Sequence, residues 1–283
     1  MPPAAFLIAI AAGTTPSPLR LGQTFLAEVP DPAKGSNGWS LVSHGVGEKL
    51  YTLNDQNILV PQLAQRVERT SENRWTVTLK SGRHFSDGSP VTAADVAASL
   101  GRINRENNAA RSSCGAMTFT ATSKHTLTIE TEIDTMVMHS VLGEWPFVPY
   151  KTLPGDKRVF TGPYAIESLE PRELNAVANV HYPDYARCKR APLVIKKYDT
   201  GSEVTAALAK NEVHLGFNLP MESASQLNWI SDTTAKSFSV GYQYMMFRRR
   251  RQPRATSSPR SRPTLSPRKH AGVRSRENLS VAR

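Results

Sequence analysis

Cysteine is scarce in this chain: Cys114 and Cys188 are the only 2 among 283 residues. No C-x-x-C occurs, which excludes a zinc ribbon, a thioredoxin-type redox pair and a disulfide framework. The pair leaves two alternatives open, one disulfide in an oxidising compartment or two unpaired thiols. Long apolar runs are missing too. Ala4 to Ala12 is the strongest candidate and is too short to cross a bilayer as a helix. It has the look of the apolar region of a secretory signal, with Ala9-Ile10-Ala11 as a small-x-small cleavage site, but no Lys or Arg precedes it. The alternative for this run is a buried N-terminal strand or helix. Catalytic signatures are equally lacking. There is no H-E-x-x-H, no Walker loop and no G-x-S-x-G, and Gly45-Val46-Gly47 lacks the third glycine of a dinucleotide fingerprint. His44, His84, His125, His139, His181, His214 and His270 form no i, i+4 pair and no ligand cluster. No enzyme, metal or cofactor reading follows from these residues.

What is abundant is positive charge, and it is unevenly placed. The formal net charge is +11, from 35 Lys and Arg against 24 Asp and Glu. Arg248 to Arg283 holds 12 of the basic residues and 1 of the acidic ones, so the first 247 residues are formally neutral with 23 of each sign. The same stretch has 6 Ser, 4 Pro and no aromatic residue, a composition that buries no core and is expected to be disordered. A basic segment of this kind binds polyanions through counterion release. Without stacking aromatics or an RNA- or zinc-finger signature, it gives no sign of sequence-specific nucleic-acid recognition.

Periodicity organises the rest. Leu19 to Phe25 reads as a strand, and Pro30 to Gly38 as a loop. His44 to Asp55 reads as a helix running into a turn. Trp75, Val77 and Leu79 alternate with Thr76, Thr78 and Lys80, as in a strand with one buried face. Ser81-Gly82 and Ser86 to Pro90 are turns flanking a short strand. Thr92 and Asp95 resemble a capping box ahead of Val96, Leu100 and Ile103 at helical spacing. Thr126 to Glu132 and Pro192 to Tyr198 read as strands. Ser202 is placed to cap a helix through Lys210, and Val213, Leu215 and Phe217 alternate as a further strand.

The stretch from Trp75 to Arg102 (WTVTLKSGRHFSDGSPVTAADVAASLGR) closely resembles a signature of the family 5 extracytoplasmic solute-binding proteins, which serve peptide, nickel and related ABC importers. Pro61 to Ala64, Thr161 to Tyr164, Asn179 to Tyr185 and the strand Val240 to Phe247 extend the resemblance over about residues 19–247. Asn211-Glu212-Val213-His214 departs from the usual Gly-(Glu/Asp)-(Val/Ile)-Asp.

The resemblance implies an α/β fold like a type 2 periplasmic binding protein, with a first lobe and an inserted subdomain present and the second lobe missing. On that expectation residues 1–18 are a degraded signal peptide. Residues 19–44 and 158–247 form an incomplete lobe I, 45–157 the inserted subdomain, and 248–283 a basic tail introduced by a frameshift. It further implies a periplasmic, non-enzymatic component that binds peptides or another small solute and meets ABC permease subunits and their ATPase, with binding expected to be weak or absent in a chain that lacks the second lobe. The loop after the first strand faces the cleft in such proteins, which nominates Asn37, Gly38 and Trp39. Trp145 lies where nickel-binding relatives place a cleft residue that is often basic, so it points away from nickel. Core roles are the alternative for both tryptophans. The competing reading is a nucleic-acid- or membrane-associated protein acting through residues 248–283.

Overall fold

A computed structural model describes residues 17–133, 135–220 and 223, with only the backbone described at Ser113 and Cys114. The apolar run at Ala4, the expected strand at Val240 and the basic stretch from Arg248 lie outside the described residues. Strand β1 (Leu19–Gln23) leads through a loop into α1 (Asn37–Ser43). The helix expected over His44–Asp55 is not there. Gly45 takes φ 70°, Gly45 N–H donates to Val42 O, and Val46 N–H donates to Leu41 O, which is a Schellman stop. The chain then forms a hairpin of β2 (Tyr51–Leu53) and β3 (Leu59–Pro61).

The next block is built on β4 (Ala64–Ser71), β5 (Arg74–Leu79), α2 (Ala93–Glu106), α3 (Asn108–Cys114), β6 (Met117–Ala121) and β7 (Thr126–Thr131). Its four strands pair antiparallel in the order β4-β5-β7-β6. Trp75, Val77 and Leu79 are buried on one face with Leu127 and Ile129, and α2 covers that side with Val96, Leu100 and Ile103. Each such side chain contributes about 1.5–3 kcal/mol by leaving water. Asp95 N–H donates to Thr92 Oγ1 (3.2 Å), and Thr92 Oγ1 donates to Asp95 Oδ2 (2.6 Å), so the helix starts where the sequence places it. The short strand expected before it is reduced to a single bridge between His84 and Pro90, with Phe85 fully buried.

After α4 (Met138–Val141), the strands β8 (Lys151–Leu153) and β9 (Lys157–Val159) form a second hairpin. The chain then supplies β10 (Tyr164–Glu170), β11 (Glu173–Ala178), β12 (Leu193–Lys197), α5 (Gly201–Ala209) and β13 (Leu215–Gly216). With β1 they make a five-stranded sheet in the order β10-β11-β12-β1-β13, in which β1 runs parallel to both β12 and β13. A separate small core of Leu26, Leu174, Ala176, Leu193 and Ile195 lies on this sheet. The cap of α5 is Thr200, whose Oγ1 accepts from Glu203 N–H (3.2 Å), rather than Ser202. The alternating strand expected over Val213–Phe217 shrinks to two residues: Val213 is buried, whereas Leu215 is 50 % and Phe217 53 % exposed. An edge strand ended by Asn218 at φ 62° explains the difference.

Two sequence motifs turn out to be one structural joint. A Cβ on Gly162 would lie 2.4 Å from the carbonyl oxygens of Gly45 and Val46, so only glycine permits this approach. Gly162 N–H and Tyr164 N–H donate to Val46 O and Gly45 O, and Asn179 Nδ2 donates to Gly162 O (2.8 Å). Cys188 is exposed and free, which selects the unbridged alternative for it.

Candidate functional site

Because β1, β12 and β13 are parallel, their C-terminal ends Gln23, Lys197 and Gly216 meet at one edge of the sheet. Ligands of open α/β sheets sit outside such an edge. The residues leaving it are aromatic. Phe25 follows β1, Tyr198 follows β12 and Phe217 follows β13. Their backbones are locked in sheet fashion: Tyr198 N–H donates to Gln23 O and Phe217 N–H to Gly22 O, both at 2.8 Å.

Helix α1 brings Trp39 onto the same edge. Its ring lies 4.3 Å from that of Phe25 at a 42° tilt. Phe217 meets Phe25 edge-on at 6.1 Å. Trp39 keeps 40 % of its surface exposed and Phe217 53 %, while Phe25 is half-buried between them. The three rings make an apolar platform open to solvent, a surface that holds flat or aliphatic groups by burial and ring contact.

The platform stands on a buried polar pair. His44 stacks under Phe25, with ring centroids 5.7 Å apart and planes 13° apart. Gln23 Nε2 donates to Phe25 O (2.7 Å), and its second hydrogen faces His44 Nδ1 at 3.5 Å. That arrangement makes Nδ1 the acceptor and puts the proton on Nε2, which is buried without a partner. Burial pushes the His44 pKa down to about 4, so the ring is neutral at neutral pH.

The nominated residues divide. Trp39 is on the platform. Asn37 is buried, and its Oδ1 accepts from Glu28 N–H (2.9 Å), so that oxygen closes the loop behind the helix. Gly38 has no room for a side chain: a Cβ there would lie 2.7 Å from Trp145 O. Gly38 and Trp145 are therefore brought together through their backbones, with the Trp145 side chain partly buried. Phe25, Phe217 and the Gln23–His44 pair were not read from the sequence. The sequence pattern reads Phe25 as the last residue of the first strand, but the strand stops at Gln23, which leaves Phe25 past the sheet edge. Phe217 was hidden by its alternation with Val213, which reads as a core face.

Two buried ion-pair clusters tie the segments on either side of α1 to the rest of the fold. Asp31 accepts two hydrogen bonds from Arg102 at 2.8 Å and one from Ala33 N–H, and Arg158 lies 3.6 Å away. Burial alone would raise the Asp31 carboxyl, but the Arg102 hydrogen bonds, the Ala33 N–H and the neighbouring arginine charges outweigh it and hold the group below the usual carboxylate range. The loop before α1 is thereby pinned to α2. Glu48, buried, pairs with Arg83 and accepts from Tyr182 Oη (3.2 Å), which ties the segment after Asn179 to the chain beyond α1. Among the described residues no cluster of His, Cys, Asp and Glu is arranged to hold a metal ion. No helix among them is long and apolar enough to cross a membrane.

Residues 59–266 match the profile of the bacterial extracellular solute-binding proteins, family 5 Middle, a match that runs past Phe247. Comparison with curated protein sequences finds no match. Similar solved structures include NikA from Staphylococcus aureus in complex with Ni(L-His)2, at 19 % identity and TM-score 0.67, covering 76 % of this chain and 46 % of that one. A nickel ABC transporter protein from Bacillus halodurans has 23 % identity and TM-score 0.66, covering 74 % and 45 %. The murein tripeptide binding protein MppA of Escherichia coli has 21 % identity and TM-score 0.61, covering 75 % and 48 %. The chain thus spans about half the length of these relatives, and at such identities they establish the fold alone.

Proposed function

The chain belongs to the family 5 bacterial extracellular solute-binding proteins, and we propose that its aromatic edge is one wall of a solute site serving an ABC import system, with peptides as the solute. The observation that carries this is the solvent-open platform of Phe25, Trp39 and Phe217 at the C-terminal ends of three parallel strands. The chemistry fits apolar peptide side chains. The rings offer a broad apolar surface and the histidine beneath them is neutral, so the floor attracts neither a metal cation nor an anion by charge. Asn37, Gly38 and Trp145 act in this reading by shaping the start of α1, and Trp39 makes contact. Work at the cell exterior or in the periplasm, with permease and ATPase partners, is part of the same proposal.

A platform on one side buries far less of a ligand than an enclosed pocket, which typically covers about 70–90 % of it. Binding by this wall alone is therefore weak. Calorimetry of the full chain with a mixture of free tripeptides tests it. Heats that fit dissociation constants no tighter than about a millimolar, and that vanish in Trp39→Ala, support the proposal. Micromolar binding that Trp39→Ala leaves unchanged overturns it. The second reading, association with polyanions through residues 248–283, rests on the 12 basic residues there. It requires DNA binding that weakens steeply with salt and disappears when those residues are deleted.

A further inference from the structure

Away from the aromatic edge, a cavity of about 380 Å³ opens between two strands that each end a sheet. One wall is β10, of which the consecutive residues Ala165 to Leu169 line the cavity. The other is β9, lined from Lys157 to Val159, with Leu153 of β8 and Phe160 beside it. Among the described residues β10 pairs only with β11 and β9 only with β8, so each presents an unpaired backbone edge. Free edges of this kind are templates for another strand. The register of β10 shifts between Ile166 and Ser168, a bulge that re-aims side chains as bulges do beside binding sites.

The lining narrows the occupant. Leu153, Val159, Phe160, Ile166 and Leu169 supply apolar surface. The positive charges of Lys157 and Arg158 are balanced by the negative charges of Asp87 and Glu167, so the slot favours no net charge. Arg158, whose side chain is 10 % exposed, uses its terminal nitrogens on Asp156 and Asp31, while its Nε is buried without a partner. A donor left this way is destabilising and gains from an acceptor such as a peptide carbonyl when the slot widens. Two backbone edges in need of ladder partners, apolar walls and balanced charge describe an extended, uncharged peptide.

We propose that the slot between β9 and β10 is a second binding site, which takes a short, uncharged, apolar peptide segment as an added strand. It is independent of the solute wall and uses none of its residues. The test is hydrogen exchange on the full chain with an acetyl- and amide-capped valine–leucine–valine tripeptide, whose lack of charged ends separates this site from capture of free peptides. With peptide at about ten times its dissociation constant, exchange of amides in residues 157–160 and 164–170 is expected to slow by about tenfold, with no change at residues 24–25 or 216–218. Leu153→Arg, which puts a charged side chain into the slot, is expected to abolish the effect while exchange in β5 and β7 stays native. Any of three results overturns the proposal: no slowing at saturating peptide, slowing confined to the aromatic edge, or slot amides already protected in the free protein, which would mean that the chain fills the slot itself.

Discussion

Replacing Asp31 by Ala tests whether the loop that carries α1 and Trp39 is held by the buried charge cluster. Asp31 is 1 % exposed and faces Arg102 and Arg158, whose side chains are 23 % and 10 % exposed. Removing one partner of a fully buried pair costs about 3–5 kcal/mol, because the remaining charge is stranded. Here Arg102 keeps Glu106 at 2.9 Å and Arg158 keeps Asp156 at 2.9 Å, which puts the expected loss at the low end, about 3 kcal/mol. With a urea m-value of about 2 kcal/mol/M, the midpoint falls by about 1.5 M. The pH dependence has a definite sign. The folded carboxyl lies below its unfolded value, so its contribution is fully present above the unfolded pKa of about 3.9 and is lost as pH falls through the folded pKa. The gap between wild type and Asp31→Ala is therefore wide at pH 7 and closes below pH 4. A midpoint shift under about 0.5 M at pH 7, or one that stays constant down to pH 3, would refute the reasoning.

Other expectations follow from single contacts. His44, neutral with a pKa near 4, makes the native state bind fewer protons than the unfolded chain. Its contribution is complete above the unfolded pKa of about 6.5 and is lost as pH falls toward 4, so His44→Phe should flatten the stability profile across that window. Gly162→Ala sets a methyl against two carbonyl oxygens and should cost about 3 kcal/mol, roughly 10 °C in Tm by calorimetry. Gly38→Ala pushes α1 off Trp145 O and should cost about 1–3 kcal/mol, with a changed near-ultraviolet tryptophan signal. Cys188 should react with an aromatic disulfide reagent in the native protein, and Cys188→Ser should remove that reaction.

Local elements were legible wherever one physical rule acted alone. The period-2 face of Trp75, Val77 and Leu79 and the Thr92 cap needed only near neighbours, and both stand in the structure. The helix placed over His44–Asp55 failed because Gly45, at a left-handed backbone position, stops α1 at Ser43, just where that helix was expected to begin. Val213 to Phe217 misled for a tertiary reason. Alternation reports which residues share a face, and only the sheet order shows that this face is an open edge. Trp39 was accessible to family resemblance, and Phe25 and Phe217 were not, since the three rings meet only because β1 and β13 run parallel across nearly the whole described chain. Asn37 shows the converse: a residue with suitable donor and acceptor groups whose oxygen is already occupied by Glu28 N–H.

The role of the aromatic edge is tested most directly by amide and indole chemical-shift mapping of the full chain during titration with free tripeptides. The perturbed signals should be those of Phe25, the Trp39 indole, Tyr198 and Phe217, and Trp39→Ala together with Phe217→Ala should abolish the shifts without unfolding the protein. Saturable shifts that map elsewhere, or that survive the double substitution, would contradict the assignment of this edge as the solute-binding wall.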